Sequence, residues 1–167
     1  MAYEEYEDGV LTVDFDTSIE EDDEMPTIIH GLLQLILINA LTKILIAEIK
    51  AVPPITFRGL SQKYTPDVSV YETNVLSAFA TLEETAPPPL WAIEIICPGQ
   101  TIGQMVKKCQ GMLESGVEEC WIVEPANESI TVCTKERRFV RHEGEVLTNR
   151  FLREPLKVEA IFHEEIQ

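Results

Sequence analysis

Two acidic residues in strand-like segments are the part of this sequence best suited to chemistry. Asp67 follows Pro66 in the segment YTPDVSVYE, Glu94 lies at the centre of LWAIEIICP, and Lys107 and Lys108 come on the next predicted helix. Carboxylate oxygens are the ligands that magnesium prefers, and a lysine can offset the negative charge of a scissile phosphate. The group therefore predicts metal-dependent cleavage of a phosphodiester bond.

Each acid also has a purely structural explanation. An acid in an apolar strand is costly to bury unless it is paired, protonated or bound to metal, so a salt bridge from Glu94 to Lys108 or to an arginine explains it equally well. A Pro-Asp pair such as the one ending at Asp67 is also typical of a turn or the start of a strand. The two acids together, on neighbouring predicted strands before a basic helix, form a more specific pattern.

The overall charge argues against a nucleic-acid partner. The 167 residues predict one domain, and they carry a net charge of −16 with a pI near 4.5. Proteins that bind nucleic acid normally neutralise phosphates with lysine and arginine. Much of the acid lies in the first 24 residues, where a solvated segment is the simplest interpretation. A local basic surface remains compatible with the later basic residues: Lys107, Lys108, Lys135, Arg137, Arg138, Arg141, Arg150 and Arg153.

The N-terminus and the cysteines indicate a reducing, cytoplasmic setting. No basic region followed by an apolar stretch opens the chain, so we expect no signal peptide. The longest apolar stretch, from Ile28 to Ile49, is interrupted by polar residues, which favours a buried helix over a membrane span. The four cysteines match no disulfide or zinc pattern and are predicted to be reduced core residues: Cys97, Cys109, Cys120 and Cys133.

The order of predicted elements indicates a mixed α/β domain. A helix from Ile28 to about Ala47 is followed by the Asp67 strand, the apolar strand Leu90–Ile96 and a helix capped by Thr101 that ends near Ser115. Further strands are predicted at Val10–Phe15, Glu119–Glu124, Ser129–Thr134, Phe139–His142 and Leu156–Phe162. We expect a central sheet between helices in residues 25–163, preceded by an acidic segment, residues 1–24, with a short strand.

Three strings carry a resemblance to a known family: PDVSVY, WAIEIICPGQT and MVKKCQGMLESGVEECWIVEP. They resemble the Uma-type restriction endonuclease family of bacteria, within the PD-(D/E)XK nuclease superfamily, over about residues 25–163. The resemblance implies a restriction-endonuclease-like fold, in which a central mixed sheet is flanked by helices and followed by additional C-terminal strands. It further implies a magnesium-dependent hydrolase of nucleic acid, with DNA as the expected substrate. We separately expect a homodimer.

The resemblance also assigns roles in the site. Asp67 and Glu94 carry over as catalytic residues and metal ligands, joined by the backbone carbonyl of Ile95, around Mg²⁺ or Mn²⁺. The superfamily often has a lysine two residues after the glutamate, where this chain has Ile96. Lys108 on the following helix is the matching catalytic lysine.

Accessory positions and departures from the family keep other functions open. Lys107, His30 and Gln104 are possible accessory residues, although a histidine on a leucine-rich helix is more often a core residue. The family usually has serine at the position of Cys97 and aspartate at that of Gln104. One alternative is therefore a catalytically inactive nuclease-fold domain that acts as a binding module. Another is a dimeric interaction module that uses the strands after residue 129.

Overall fold

The computed structural model describes residues 27–79 and 85–163, so the predicted strand Val10–Phe15 lies outside the described residues. The helices are α1 (Ile28–Ile44), α2 (Thr73–Phe79), α3 (Ile102–Glu114) and α4 (Glu159–Phe162). The strands are β1 (Ile49–Val52), β2 (Phe57–Arg58), β3 (Lys63–Tyr64), β4 (Val68–Glu72), β5 (Trp91–Ile95), β6 (Glu119–Glu124), β7 (Ser129–Cys133), β8 (Arg138–Arg141), β9 (Val146–Leu147) and β10 (Leu156–Lys157). A 3-10 turn at Pro125–Asn127 joins β6 to β7.

A six-stranded mixed sheet forms the centre of the domain, in the order β1-β4-β5-β6-β7-β8. Strands β5 and β6 are parallel, because helix α3 connects them and returns the chain to the end of the sheet at which β5 begins. All the other neighbouring strands of this sheet are antiparallel. Two small ribbons, β2–β3 and β9–β10, lie outside this sheet. The predicted mixed sheet with flanking helices and later strands is confirmed.

Helix α1 covers one face of the sheet. The Thr27 side chain caps its first turn by accepting a hydrogen bond from the backbone N–H of His30 at 3.2 Å. Leu37 and Leu41 are fully buried in a core cluster that also contains Val68 from β4. Burying one such leucine contributes about 1.5–3 kcal/mol, so this packing fixes the position of α1 over the strands.

Helix α3 covers the opposite face. Its start is held by a capping box between Thr101 and Gln104, and it ends before Gly116, whose φ of +111° favours glycine. Buried Cys109 and Met112 belong to a second core cluster that includes Cys120 from β6. The two helices therefore hold the central strands from opposite faces.

Two segments differ from their predictions. Strand β1 was not predicted between the first helix and the Asp67 strand, yet it pairs with β4 as far as Val52, before two prolines. The predicted strand Leu156–Phe162 is wrong beyond Lys157: β10 has two residues and is followed by helix α4. Val158 and Ile161 are both fully buried at a spacing of three residues, which suits one helical face.

The cysteines and the apolar helix match their predictions within the described residues. All four cysteines are buried there and none forms a disulfide. No helix in the described part of the chain has both the length and the apolar composition needed to cross a membrane.

Candidate active site

The pairing of β4 with β5 brings the two predicted acids to neighbouring positions. Val68 pairs with Ile93 in the antiparallel register, so Asp67, one residue before β4, comes opposite Glu94 in β5. The carboxylate of Asp67 is anchored to the second strand, because its Oδ2 accepts a hydrogen bond of 2.7 Å from the backbone N–H of Ile95. The two carboxylates thus stand at the same end of adjacent strands.

Glu94 is buried and faces a lysine. It is 4% exposed, and its Oε1 lies 3.2 Å from Nζ of Lys108 on α3. A buried carboxylate needs such a partner, so the salt bridge proposed as the structural explanation of Glu94 is present. The same contact holds the predicted catalytic lysine against the predicted metal ligand. Lys107, its neighbour on α3, is exposed to solvent.

His30 joins Asp67 to Cys97, which lies two residues after the end of β5. Its Nε2 lies 3.1 Å from Oδ1 of Asp67, and its Nδ1 lies 3.0 Å from Sγ of Cys97. The hydrogen bond that His30 donates to Asp67 raises the pKa of His30 above its ordinary value, and the charges of Asp67 and Glu94 add to this effect, which burial opposes. Both acids therefore act on the same imidazole.

A glutamine that sequence reasoning missed also supports the site. Gln34 donates a hydrogen bond of 2.6 Å from Nε2 to the backbone carbonyl of Asp67. It lies four residues after His30 on α1, on the same side of the helix, and this spacing was the available signal. Together, His30 and Gln34 fix the backbone and the carboxylate of Asp67 from one helix.

Gln104, predicted as an accessory residue, takes part in the cap at the N-terminal end of α3. Its Oε1 accepts a hydrogen bond of 2.8 Å from the backbone N–H of Thr101, within the capping box. This contact satisfies a helix N-terminal donor that would otherwise lack an intrahelical partner. Gln104 therefore positions the helix that carries Lys108.

The oxygen donors near Asp67 and Glu94 suit a hard divalent cation, which chooses carboxylate and carbonyl oxygens. They are at present engaged by His30, the N–H of Ile95 and Lys108. A different group in the described residues brings three ligand atoms within 4.8 Å of one another; its members are Glu128, Glu143 and His163, all exposed. We call these three residues the surface trio. Asp67 and Glu94 are not part of such a trio within the described residues.

Basic side chains gather on β8, at the edge of the sheet. The guanidinium groups of Arg137 and Arg141 lie 4.9 and 4.6 Å from the centroid of the Phe139 ring. Arg141 is also within 3.4 Å of Glu145, and Arg150 pairs with Glu118, so part of the predicted basic surface is neutralised by nearby acids.

The profile of one protein family, described as "Uma2: Putative restriction endonuclease", matches residues 7–159. The chain belongs to the Uma2 family. Among solved structures, this Uma2 protein is similar to one from Anabaena variabilis described as "a putative nuclease belonging to DUF820". The two share 20% sequence identity and a TM-score of 0.71, over 83% of this chain and 82% of that chain. At that identity the similarity shows the fold. No curated protein matches the chain.

Proposed function

We propose that this Uma2 protein is a metal-dependent nuclease that hydrolyses phosphodiester bonds of nucleic acid, with DNA as the expected polymer. One observation carries the proposal: Asp67 comes opposite Glu94 on adjacent strands, with the amine of Lys108 at 3.2 Å from the second acid. Membership of a family described as restriction endonucleases supports it. The domain limits, residues 1–24 and 25–163, remain predictions.

Asp67, Glu94 and the backbone carbonyl of Ile95 would hold Mg²⁺ or Mn²⁺. When bound, such an ion polarises a phosphoryl oxygen and lowers the pKa of a coordinated water. The donor set consists only of oxygen atoms, which are the ligands that magnesium prefers. Magnesium binds thiol and imidazole ligands less readily.

The chain's own residues would orient the acids and offset charge on the substrate. The hydrogen bonds from Ile95 N–H and from His30 engage the two oxygens of Asp67, so the carboxylate cannot rotate freely. Lys108 pairs with Glu94, and its side chain is 22% exposed, so part of this side chain is reached by solvent. A lysine at that point stabilises negative charge that develops on phosphate.

A catalytically inactive binding module is the second candidate. The position where the family usually has an aspartate is occupied by Gln104, and its side chain oxygen is engaged in the cap of α3. The net charge of −16 also favours a partner other than nucleic acid. The homodimer, the bacterial source and the cytoplasmic location remain predictions, and light scattering tests the first of them.

The test compares cleavage of plasmid and single-stranded DNA by the wild type, Asp67→Ala and Glu94→Ala, with Mg²⁺ or Mn²⁺. We expect metal-dependent cleavage by the wild type and a loss of roughly 100-fold or more in each variant, because each removes a ligand that acts on the developing charge. Glu128→Ala, from the surface trio, is the matched control and should cleave like the wild type. Equal cleavage by all four proteins would indicate a contaminating nuclease.

Calorimetry separates the nuclease from the inactive module. The nuclease should bind Mn²⁺ with an affinity that falls in Asp67→Ala. An inactive module should bind Mn²⁺ no better than that variant, and this result would overturn the proposal.

A further inference from the structure

We infer that Cys97 and His30 form a second cation site, which takes a thiophilic divalent ion such as Zn²⁺. This site differs from the proposed magnesium site in its donors, which are sulfur and nitrogen. Two side chains from distant parts of the sequence, one on α1 and one just after β5, meet here with Sγ and Nδ1 at 3.0 Å. Thiol and imidazole are the side chains that zinc prefers.

The outer contacts of His30 are those of a zinc-binding histidine. Histidines that bind zinc almost always donate the other ring N–H to a carboxylate or a carbonyl, which fixes the tautomer and the orientation of the ring. Here Nε2 lies 3.1 Å from Oδ1 of Asp67. A neutral imidazole that donates from Nε2 has its lone pair on Nδ1, and this lone pair faces the sulfur of Cys97.

The distances need only a small adjustment. Zinc binds sulfur at about 2.3 Å and nitrogen at about 2.1 Å, so tetrahedral geometry separates the two ligand atoms by about 3.6 Å. The present 3.0 Å would have to widen by about half an ångström. The carbonyl oxygen of Ile95, 4.0 Å from Sγ of Cys97, is a third donor near the required separation. Water would complete the coordination.

Occupancy of this site would oppose the proposed nuclease, and this consequence rests on the proposed function. A cation on Nδ1 makes the imidazole a stronger hydrogen-bond donor, so Nε2–H would hold Asp67 more tightly. The carbonyl of Ile95 would also be shared between the two sites. A thiophilic ion would therefore compete with Mg²⁺ for the carbonyl of Ile95, one of the three ligands that we assign to Mg²⁺, and would change the hydrogen bonding of a second, Asp67.

Titration with CdCl₂ tests the site without reference to cleavage. Cadmium stands in for zinc because cadmium–thiolate bonds give a charge-transfer absorption in the near ultraviolet. We expect one equivalent of Cd²⁺ to produce this band in the wild type, with ZnCl₂ displacing it. The band should be absent in Cys97→Ser. The affinity for Cd²⁺ should also fall in His30→Gln, which removes a ligand. It should fall by roughly 10–100-fold in Asp67→Asn, which changes the hydrogen-bond partner of that ligand.

Cys133→Ser is the matched control, because Cys133 is a buried cysteine of the second core cluster. It should keep the band. A wild type without the band at two equivalents of Cd²⁺, a band that survives in Cys97→Ser, or a band lost equally in Cys133→Ser would each overturn the inference. If Cys97→Ser proves unfolded by circular dichroism, His30→Gln decides in its place.

The outcome is independent of the nuclease assay. A cadmium band in a protein that cleaves no DNA would leave the second site standing and reject the proposed function. Metal-dependent cleavage by a protein that gives no cadmium band would support the proposed function and reject the second site. Inhibition of cleavage by equimolar ZnCl₂ in the wild type, and its absence in Cys97→Ser, would support the antagonism; equal inhibition of both would reject it.

Discussion

Two groups of carboxylate and histidine side chains lie in different surroundings in this protein. Asp67 and Glu94 lie at the ends of central strands and His30 lies on α1, with side-chain exposures of 18%, 5% and 11% respectively. In the surface trio, His163 and Glu128 pair at 3.1 Å with exposures of 48% and 46%. The ligand atoms of the surface trio lie within 4.8 Å of one another. The side chains of the buried group are instead held in place by hydrogen bonds and ion pairs from other elements.

The difference shows that proximity of ligand atoms is a weak guide to a functional site. Exposed charges that meet in water gain little, since solvent screens them and both side chains lose rotamer freedom. Each acid of the buried group is instead held by a partner from another element: Asp67 by α1 and β5, and Glu94 by α3. Such support is what fixes ligands in position for a metal or a substrate.

The largest effect on stability should come from the lysine of the buried group. Lys108→Met takes away the ammonium that faces Glu94, and we expect the free energy of unfolding to fall by about 1–3 kcal/mol, the cost of removing one partner of a buried polar group. Lys107→Met, on the exposed side of the same helix, should change it by at most about 0.5 kcal/mol. Urea denaturation at neutral pH measures both variants. Equal stability of the two would mean that the ion pair contributes nothing to the fold.

A smaller effect should appear in the titration of His30. In the metal-free protein its pKa should lie above 6.5, and Asp67→Asn should lower it, because the hydrogen bond to Asp67 is the main cause of the increase. A histidine with a raised folded-state pKa stabilises the fold fully below about pH 6.5, and this contribution disappears as the pH rises through the folded-state pKa. Two-dimensional NMR of the imidazole resonances follows the titration. An unchanged His30 pKa in Asp67→Asn would show that the contact is absent in solution.

The smallest effect should come from the surface trio. His163→Ala removes an exposed ion pair to Glu128, and pairs of this kind contribute about 0–1 kcal/mol. We expect a change below about 0.5 kcal/mol in the free energy of unfolding, with no change in affinity for Mn²⁺. Urea denaturation and calorimetry test the two statements. A marked loss of Mn²⁺ affinity would move the metal site from the strands to this surface.

The two acids were predictable because local rules are enough to place them. A Pro-Asp pair before alternating valines and a single acid within an apolar run both indicate strands, so each acid could be placed on its own strand. Lys108 was assigned through the resemblance to the nuclease family, which implies a lysine on the next helix. The register that sets one acid opposite the other, Val68 with Ile93, depends on the pairing of strands more than 20 residues apart and had to be observed.

The contacts of His30 could not be predicted in the same way. His30 and Cys97 are 67 residues apart, and they meet only because the leucines of α1 pack on the sheet at one particular rotation of the helix. Strand β1 was hidden by the prolines that follow it, and α4 by a run of apolar residues that suits either a strand or a helix. These features depend on tertiary packing, which overrides local preference.

Helices α1 and α3 approach the sheet from opposite faces, and each brings one basic side chain to an acid on a central strand. The proposed site residues all lie between positions 30 and 108, yet β5, which bears Glu94, is held on one side by β6 at Glu119–Glu124. A fragment that ends after α3 would contain each of those residues and lack the neighbour that keeps β5 in place. The proposed catalytic group thus depends on the sheet together with the helices on both of its faces, and it cannot be moved to another protein as one continuous peptide.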